Sequence, residues 1–233
     1  MKPVIGIIGA MDEEIKRLLK DMEHSEAEIH AGITFYKGTI GEHSVVVTKC
    51  GVGKVNAAVA TQILIQQCGA AKVVFTGVAG ALHPELDVGD IVISSECMQH
   101  DMDVTALGYA PGVIPYQDTS VFPADPELVR IAGKVCLERE VRHVTGRVLS
   151  GDRFVANHEL VAWLREEMNG ACAEMEGAAL AQVCYMNGVP YVVIRAMSDK
   201  ADGSADVSYT EFTETASRLS HEIVIGILGE LEK

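Results

Sequence analysis

Apolar runs and amphipathic segments alternate along the chain almost from its first residue. "VIGIIGA" (4–10) is apolar without a break, the pattern of a strand covered on both faces. "MDEEIKRLLKDM" (11–22) sets Ile15, Leu18, Leu19 and Met22 on one side of a 3.6-residue period, which predicts an amphipathic helix. "ITFYKGTI" and "HSVVVTKC" read as a hairpin turning at Gly41 and Glu42. "GVGKVNAAVATQILIQQCG" opens on glycines and runs as a helix to a C-capping Gly69. Strands are predicted at 72–82, 90–99, 142–149 and 190–199. Helices are predicted at 125–139, at 158–168, through "EMEGAALAQVCYMNG" and from near Tyr209 onward. Residues 100–124 are rich in proline and turn residues and read as a long excursion outside the core.

Helices alternating with Val/Ile strands predict an α/β fold, a central mixed, twisted sheet flanked by helices on both faces. No linker is visible, so one domain is expected over residues 1–233. In open α/β sheets ligands bind beyond the carboxyl ends of the strands. Here those exits are "GAMDEE", "TGVAG", "SGDRF" and "RAMSD".

Charge narrows the partner. A net charge of −14 repels the phosphates of nucleic acid and anionic membrane surfaces, which leaves a small molecule. A composition of 48% hydrophobic residues with 22 glycines suits a large packed core. The cysteines at 50, 68, 97, 136, 172 and 184 form no CxxC pair and read as core residues in a reducing compartment. The first residues look like a core strand rather than a signal peptide, and no run reaches membrane-spanning length, so a cytoplasmic protein is expected.

Motif spacing excludes several chemistries. "GIIGAM" and "GVGKVN" miss the dinucleotide fingerprint, and Lys54 is followed by Val55 rather than the Ser or Thr of a P-loop. "QHDMD" groups His100, Asp101 and Asp103 without zinc-site spacing, so neither metal nor cofactor is expected. Carboxylates remain. Glu14 follows the first strand, Glu174 and Glu176 precede a helix, and Asp199 ends the largely apolar strand "PYVVIRAMSD". Each alone reads as a cap or a solvated acid; together they converge on one sheet edge. Converging acids fit glycosidic cleavage, where one protonates the leaving group and another activates water.

"GIIGAMDEE", "GVGKVNAA", "TGVAG", "VGDIVIS", "HDMDVTALGY", "SGDRFV", "AEMEGAA" and "RAMSD" occur in that order from end to end of the chain. As a set they closely resemble the bacterial 5′-methylthioadenosine/S-adenosylhomocysteine nucleosidases of the purine nucleoside phosphorylase superfamily. The resemblance implies a homodimer that hydrolyses the bond between adenine and a 5′-thio-substituted ribose, in methionine salvage. It implies that Asp199 protonates adenine N7 with Ser198 holding it, and that Glu14 takes a proton from water. Glu176 would accept the ribose hydroxyls, with Arg195 nearby and Glu174 supporting it. Phe154 would stack on the base and the Val155 backbone would read its edge. Met11, Met175 and Tyr209 would line the ribose and its 5′ substituent, with Val52, Val78 and Gly80 also bordering the nucleoside. Val104, Leu107 and Pro115 would come from the partner subunit.

Two positions depart from the family pattern. Val78 stands where many relatives have serine, and Leu107 where phenylalanine is common, which broadens the 5′ pocket. Val78 also occurs in relatives that accept 6-amino-6-deoxyfutalosine, and that substrate stays open, as does 5′-deoxyadenosine. A phosphorylase on the same fold is disfavoured, because Phe75 and Val78 replace its phosphate ligands and Glu14 would repel phosphate.

Overall fold

The computed structural model describes residues 3–201 and 205–231, with side chains of the last helix described from 211. The chain runs β1 (Val4–Gly9), α1 (Asp12–Asp21), β2 (Glu23–His30), β3 (Ile33–Ile40), β4 (His43–Lys49), α2 (Lys54–Gln66) and β5 (Ala70–Ala81). It continues through β6 (Ile91–Gln99), β7 (Val121–Pro123), α3 (Pro126–Glu138), β8 (His143–Ser150) and α4 (His158–Glu166). It ends with β9 (Gly170–Glu174), α5 (Gly177–Asn187), β10 (Tyr191–Asp199) and α6 (Ala205–Leu231).

The ten strands among the described residues belong to one mixed sheet, ordered β10-β6-β8-β9-β5-β1-β4-β3-β2 with β7 paired to β6. β10 also pairs with β5 in parallel, so β5, β9, β8, β6 and β10 close on themselves. The expected central sheet is therefore curled into a partly closed barrel at one end and opens into a hairpin at the other. On one face Ile15 and Leu18 of α1, Leu128 and Ile131 of α3, and Ile223 and Ile227 of α6 pack together. On the other, Ala57, Ala60 and Leu64 of α2 pack in one cluster with Ala178 and Ala181 of α5, the four alanines letting the two helices lie close.

Four sequence expectations shift. Residues 23–30, "EHSEAEIH", form edge strand β2 although nearly all are exposed, because the free edge of β3 supplies its hydrogen bonds. β9 precedes the "GAALAQVCYMN" helix, paired to β8 in parallel and to β5 antiparallel. The 100–124 excursion holds a short 3₁₀ turn at Thr105–Leu107 and returns to the core as β7, where Phe122 is buried. The last helix begins at Ala205, ahead of Tyr209, whose side chain lies outside the described residues. Five of the six cysteines are buried and all are free thiols, as core residues would be.

Candidate active site

A cavity of about 270 Å³ opens where β1, β5, β9 and β10 end. Its wall includes Met11, Glu14, Val52, Val78, Gly80, Phe154 and Val155. Glu174, Met175, Glu176, Ser198 and Asp199 complete the predicted set within it. Ala10, Ala79, Arg153 and Ala173 line it as well and were not singled out by their sequence. Three of these are alanines, for which composition offers no signal, whereas Arg153 stands inside "SGDRFV" and could have been read from it. Arg195 lies behind the wall, and Val104, Leu107 and Pro115 lie outside it in the 100–124 excursion, with Leu107 72% exposed.

Glu14 is the third residue of α1, where backbone N–H groups lack helical partners and the dipole is positive. Its carboxylate folds back so that Oε2 accepts from Ala10 N–H at 2.6 Å and Met11 N–H at 3.0 Å. Oε1 accepts from Val78 N–H at 3.0 Å, across from β1 to β5. The side chain therefore acts as a helix cap and at the same time faces the cavity. Burial raises its pKa above the ordinary 4.5, and nearby Arg195 and the three N–H groups oppose that rise. Gly77 makes the approach possible: a Cβ there would fall 2.5 Å from Glu14 Oε1 and 2.7 Å from an Arg195 nitrogen.

Glu174 and Glu176 divide two tasks. Glu174 Oε2 takes the Arg195 Nη2 donor at 2.5 Å and the Gly177 N–H at 2.8 Å, while Ser150 Oγ donates to Oε1. Its acceptor capacity is nearly filled by protein. Glu176 accepts from Gly53 N–H at 2.8 Å and stands 3.9 Å from Arg195. Burial, then the charge of Glu174, pushes the Glu176 pKa up to about 8. Glu176 therefore keeps lone pairs for a ligand, and a hydroxyl donor in the cavity is the partner that suits them.

Arg195 is buried under the Phe75 ring, its guanidinium carbon 4.0 Å from the centroid. Burial works against its charge, but Glu174, Glu14 and Glu176 together hold its pKa above the ordinary value. Its Nη1 has no hydrogen-bond partner among the described residues and lies at the Gly77 side of Glu14. A buried donor beside a basic carboxylate is a place where a water gains two strong contacts.

Asp199 ends β10 at an irregularity in its pairing with β5. Oδ2 accepts from Ser198 Oγ at 2.8 Å and Oδ1 from Ala201 N–H at 2.7 Å. Gly80 lies opposite, and a Cβ on it would come 2.8 Å from Asp199 Oδ1. Glu14 sits against Gly77 and Asp199 against Gly80, so the two acids meet the same strand, β5, three residues apart.

Residues 4–229 match the family model of the phosphorylase superfamily. The chain is similar to the 5′-methylthioadenosine/S-adenosylhomocysteine nucleosidase of Bacillus thuringiensis, 42% identical over 98% of this chain and 99% of that protein. Its structure is similar to the Neisseria meningitidis nucleosidase of that name in complex with methylthio-immucillin-A, with TM-score 0.93 and 40% identity over 97% and 98% of the two chains. A futalosine hydrolase of Helicobacter pylori superposes with TM-score 0.94 and 33% identity over 98% of each chain. With sequence, fold and converging carboxylates in agreement, the chain belongs to the phosphorylase superfamily and, within it, to the 5′-methylthioadenosine/S-adenosylhomocysteine nucleosidases, which are N-glycosyl hydrolases.

Proposed function

We propose that the protein hydrolyses 5′-methylthioadenosine and S-adenosylhomocysteine, and 5′-deoxyadenosine with them, to adenine and the free 5-substituted ribose. The observation that carries this reading is the convergence of Glu14, Glu176 and Asp199, from three separate elements, on one cavity. Asp199 donates a proton to adenine N7, so that the base leaves neutral, and Ser198 orients the donor. Charge then builds on an oxocarbenium-like sugar. Glu176 accepts the 2′- and 3′-hydroxyls of that sugar. Glu14, its basicity raised by burial, takes a proton from a water bridging to Arg195 Nη1. Phe154 stacks on the base, Val155 meets its edge, and Met11, Val52 and Met175 bound the ribose side. The family resemblance adds Tyr209 to that side, a side chain outside the described residues.

Water suits this site better than phosphate. Glu14, Glu174, Glu176 and Asp199 all line the cavity, and Arg195 is already committed to Glu174. A phosphate anion would face that row of carboxyl groups, and among the described residues the cations near it are Arg195, paired with Glu174, and Arg153, which is exposed.

A second copy of the chain completes the 5′ end, with Val104, Leu107 and Pro115 covering the substituent. Val55, Leu107 and Tyr116, at 73%, 72% and 95% exposure, offer an apolar surface for it. The Lys54–Asp101 ion pair brings the start of the excursion to the N-terminus of α2, next to Val55. We place the activity in the cytoplasm, as one domain over the whole chain; no helix among the described residues is long and apolar enough to cross a membrane.

A second reading, 6-amino-6-deoxyfutalosine, is favoured by the likeness to the futalosine hydrolase. Adenine release from each nucleoside, with and without phosphate, tests both. Free 5-methylthioribose in phosphate-free buffer is expected, and a phosphate-dependent ribose 1-phosphate product would overturn the hydrolytic assignment.

A further inference from the structure

Beside the cavity lies a closed ring of polar contacts that the chemistry above does not use. α2 starts at Lys54, and two successive backbone donors at its start both end on carboxylates. Gly53 N–H reaches Glu176 Oε1 at 2.8 Å, and Lys54 N–H reaches Asp152 Oδ1 at 2.8 Å. Unpaired N–H groups and the positive dipole end favour two anions there. Asp152 donates its own N–H to Asp101 Oδ2 at 2.9 Å, and Asp101 Oδ1 takes the Lys54 ammonium at 2.5 Å, which closes the ring. Lys54 Nζ also donates to Gln99 Oε1 at 3.0 Å, and Gln99 Nε2 to Gln182 Oε1 at 2.7 Å on α5. α5 is the helix that begins directly after Glu176.

Both ends of this ring meet the site. Gly53 supplies the one backbone N–H that Glu176 receives among the described residues. Its φ of 99° is a glycine conformation, and a Cβ there would come 3.1 Å from Asp152 Oδ1. Asp152 stands two residues before Phe154 and three before Val155, in the loop that walls the cavity. The side chains of Lys54 and Asp101 are only 18% and 27% exposed, so their attraction is less screened than that of a surface pair.

We propose that Lys54, Asp101 and Asp152 are positioning residues for the glycosidic reaction, holding the Gly53 N–H on Glu176 and coupling that carboxylate to the loop of Phe154 and Val155. The inference rests on Glu176 being the acceptor of the ribose hydroxyls. Lys54→Met removes the cation that gathers Asp101 and Gln99, and with it the constraint on the 51–54 turn. The loss falls on the contact with the sugar hydroxyls rather than on the fold as a whole.

The test is steady-state kinetics on methylthioadenosine and its 2′-deoxy counterpart for Lys54→Met, Lys54→Arg, Glu176→Gln and the Lys54→Met/Glu176→Gln pair. Lys54→Met should lower kcat/KM on the parent nucleoside by about ten- to a hundredfold, the worth of one charge-assisted hydrogen bond. It should lower it much less on the 2′-deoxy substrate, add little in the Glu176→Gln background, and be largely rescued in Lys54→Arg. Asp152→Ala should repeat the pattern, and Asp152→Asn, whose amide oxygen still accepts the Lys54 N–H, should recover most of it. The Asp152 pair carries the same comparison if Lys54→Met does not fold. Near-normal turnover in Lys54→Met, equal losses on both substrates, or a loss additive with Glu176→Gln overturns the positioning role while Glu176 keeps its own. If Glu176→Gln itself leaves discrimination between the two substrates unchanged, the reading of Glu176 falls, and this inference with it.

Discussion

Glu176→Gln should stabilise the substrate-free protein, by an amount that grows as pH rises from about 4.5 to about 8. The carboxylate is 6% exposed, and burial with the charge of Glu174 behind it lifts its pKa from 4.5 to about 8, against the pull of Arg195 and the Gly53 N–H. A folded-state pKa above the unfolded one means stability that is complete below about pH 4.5 and is lost as pH rises through about 8. At pH 5 the native side chain is protonated, and glutamine, of the same shape and able to accept the Gly53 N–H, should change little. At pH 9 the wild type folds around an ionised, buried carboxylate, and the rise in pKa corresponds to about 5 kcal/mol of ionisation cost. Glutamine carries no such cost. For a domain of this size a gain of 1 kcal/mol raises Tm by about 2–4 °C, so a gain of about 10–20 °C at pH 9 is the ceiling. Scanning calorimetry of both proteins at pH 5 and pH 9 measures the difference. Equal shifts at the two values, or a destabilised variant at pH 9, would refute the argument that Glu176 is held at a cost for its ligand.

Other substitutions separate the remaining roles. Glu14→Gln and Asp199→Asn should each lower adenine release at least about 100-fold with the fold intact, and near wild-type turnover in Asp199→Asn would sink the leaving-group mechanism. Because Glu14 must be ionised and its pKa is raised, kcat/KM should fall as pH drops through a value above 4.5; an acid limb at or below 4.5 contradicts this. Gly77→Ala pushes a methyl group to within 2.5 Å of Glu14 Oε1, so it should lose activity on the scale of Glu14→Gln, and full activity would show that the carboxylate can move without consequence. Sedimentation at micromolar concentration should give a dimer, and a fully active monomer would remove the partner's place at the 5′ end.

Much of the fold is legible because its signals are local. An unbroken apolar run as short as β1, closed by Gly9, reads as a strand covered on both faces, and the spacing of Ile15 and Leu18 places them on one side of a helix. β2 and β9 escape such reading. β2 is charged and almost wholly exposed, and β9 is the five residues "GACAE", with no β-branched side chain. Both are strands because neighbouring strands offer hydrogen bonds, which is a property of the sheet and not of the segment.

The candidate site divides in the same way. Which carboxylates stand at strand ends, and the motif set that joins the chain to its family, are determined by the sequence alone. How those carboxylates differ is decided by tertiary contacts between residues far apart in the chain. Glu174 is filled by Ser150 and Arg195, while Glu176, two residues later, is left with lone pairs facing the cavity. Gly77 and Gly80 look like ordinary turn glycines until the fold sets Glu14 and Asp199 where their Cβ atoms would be. Desolvation and hydrogen bonding depend on what surrounds a group in space, so the protonation behaviour of identical residue types emerges only when the chain has closed around them.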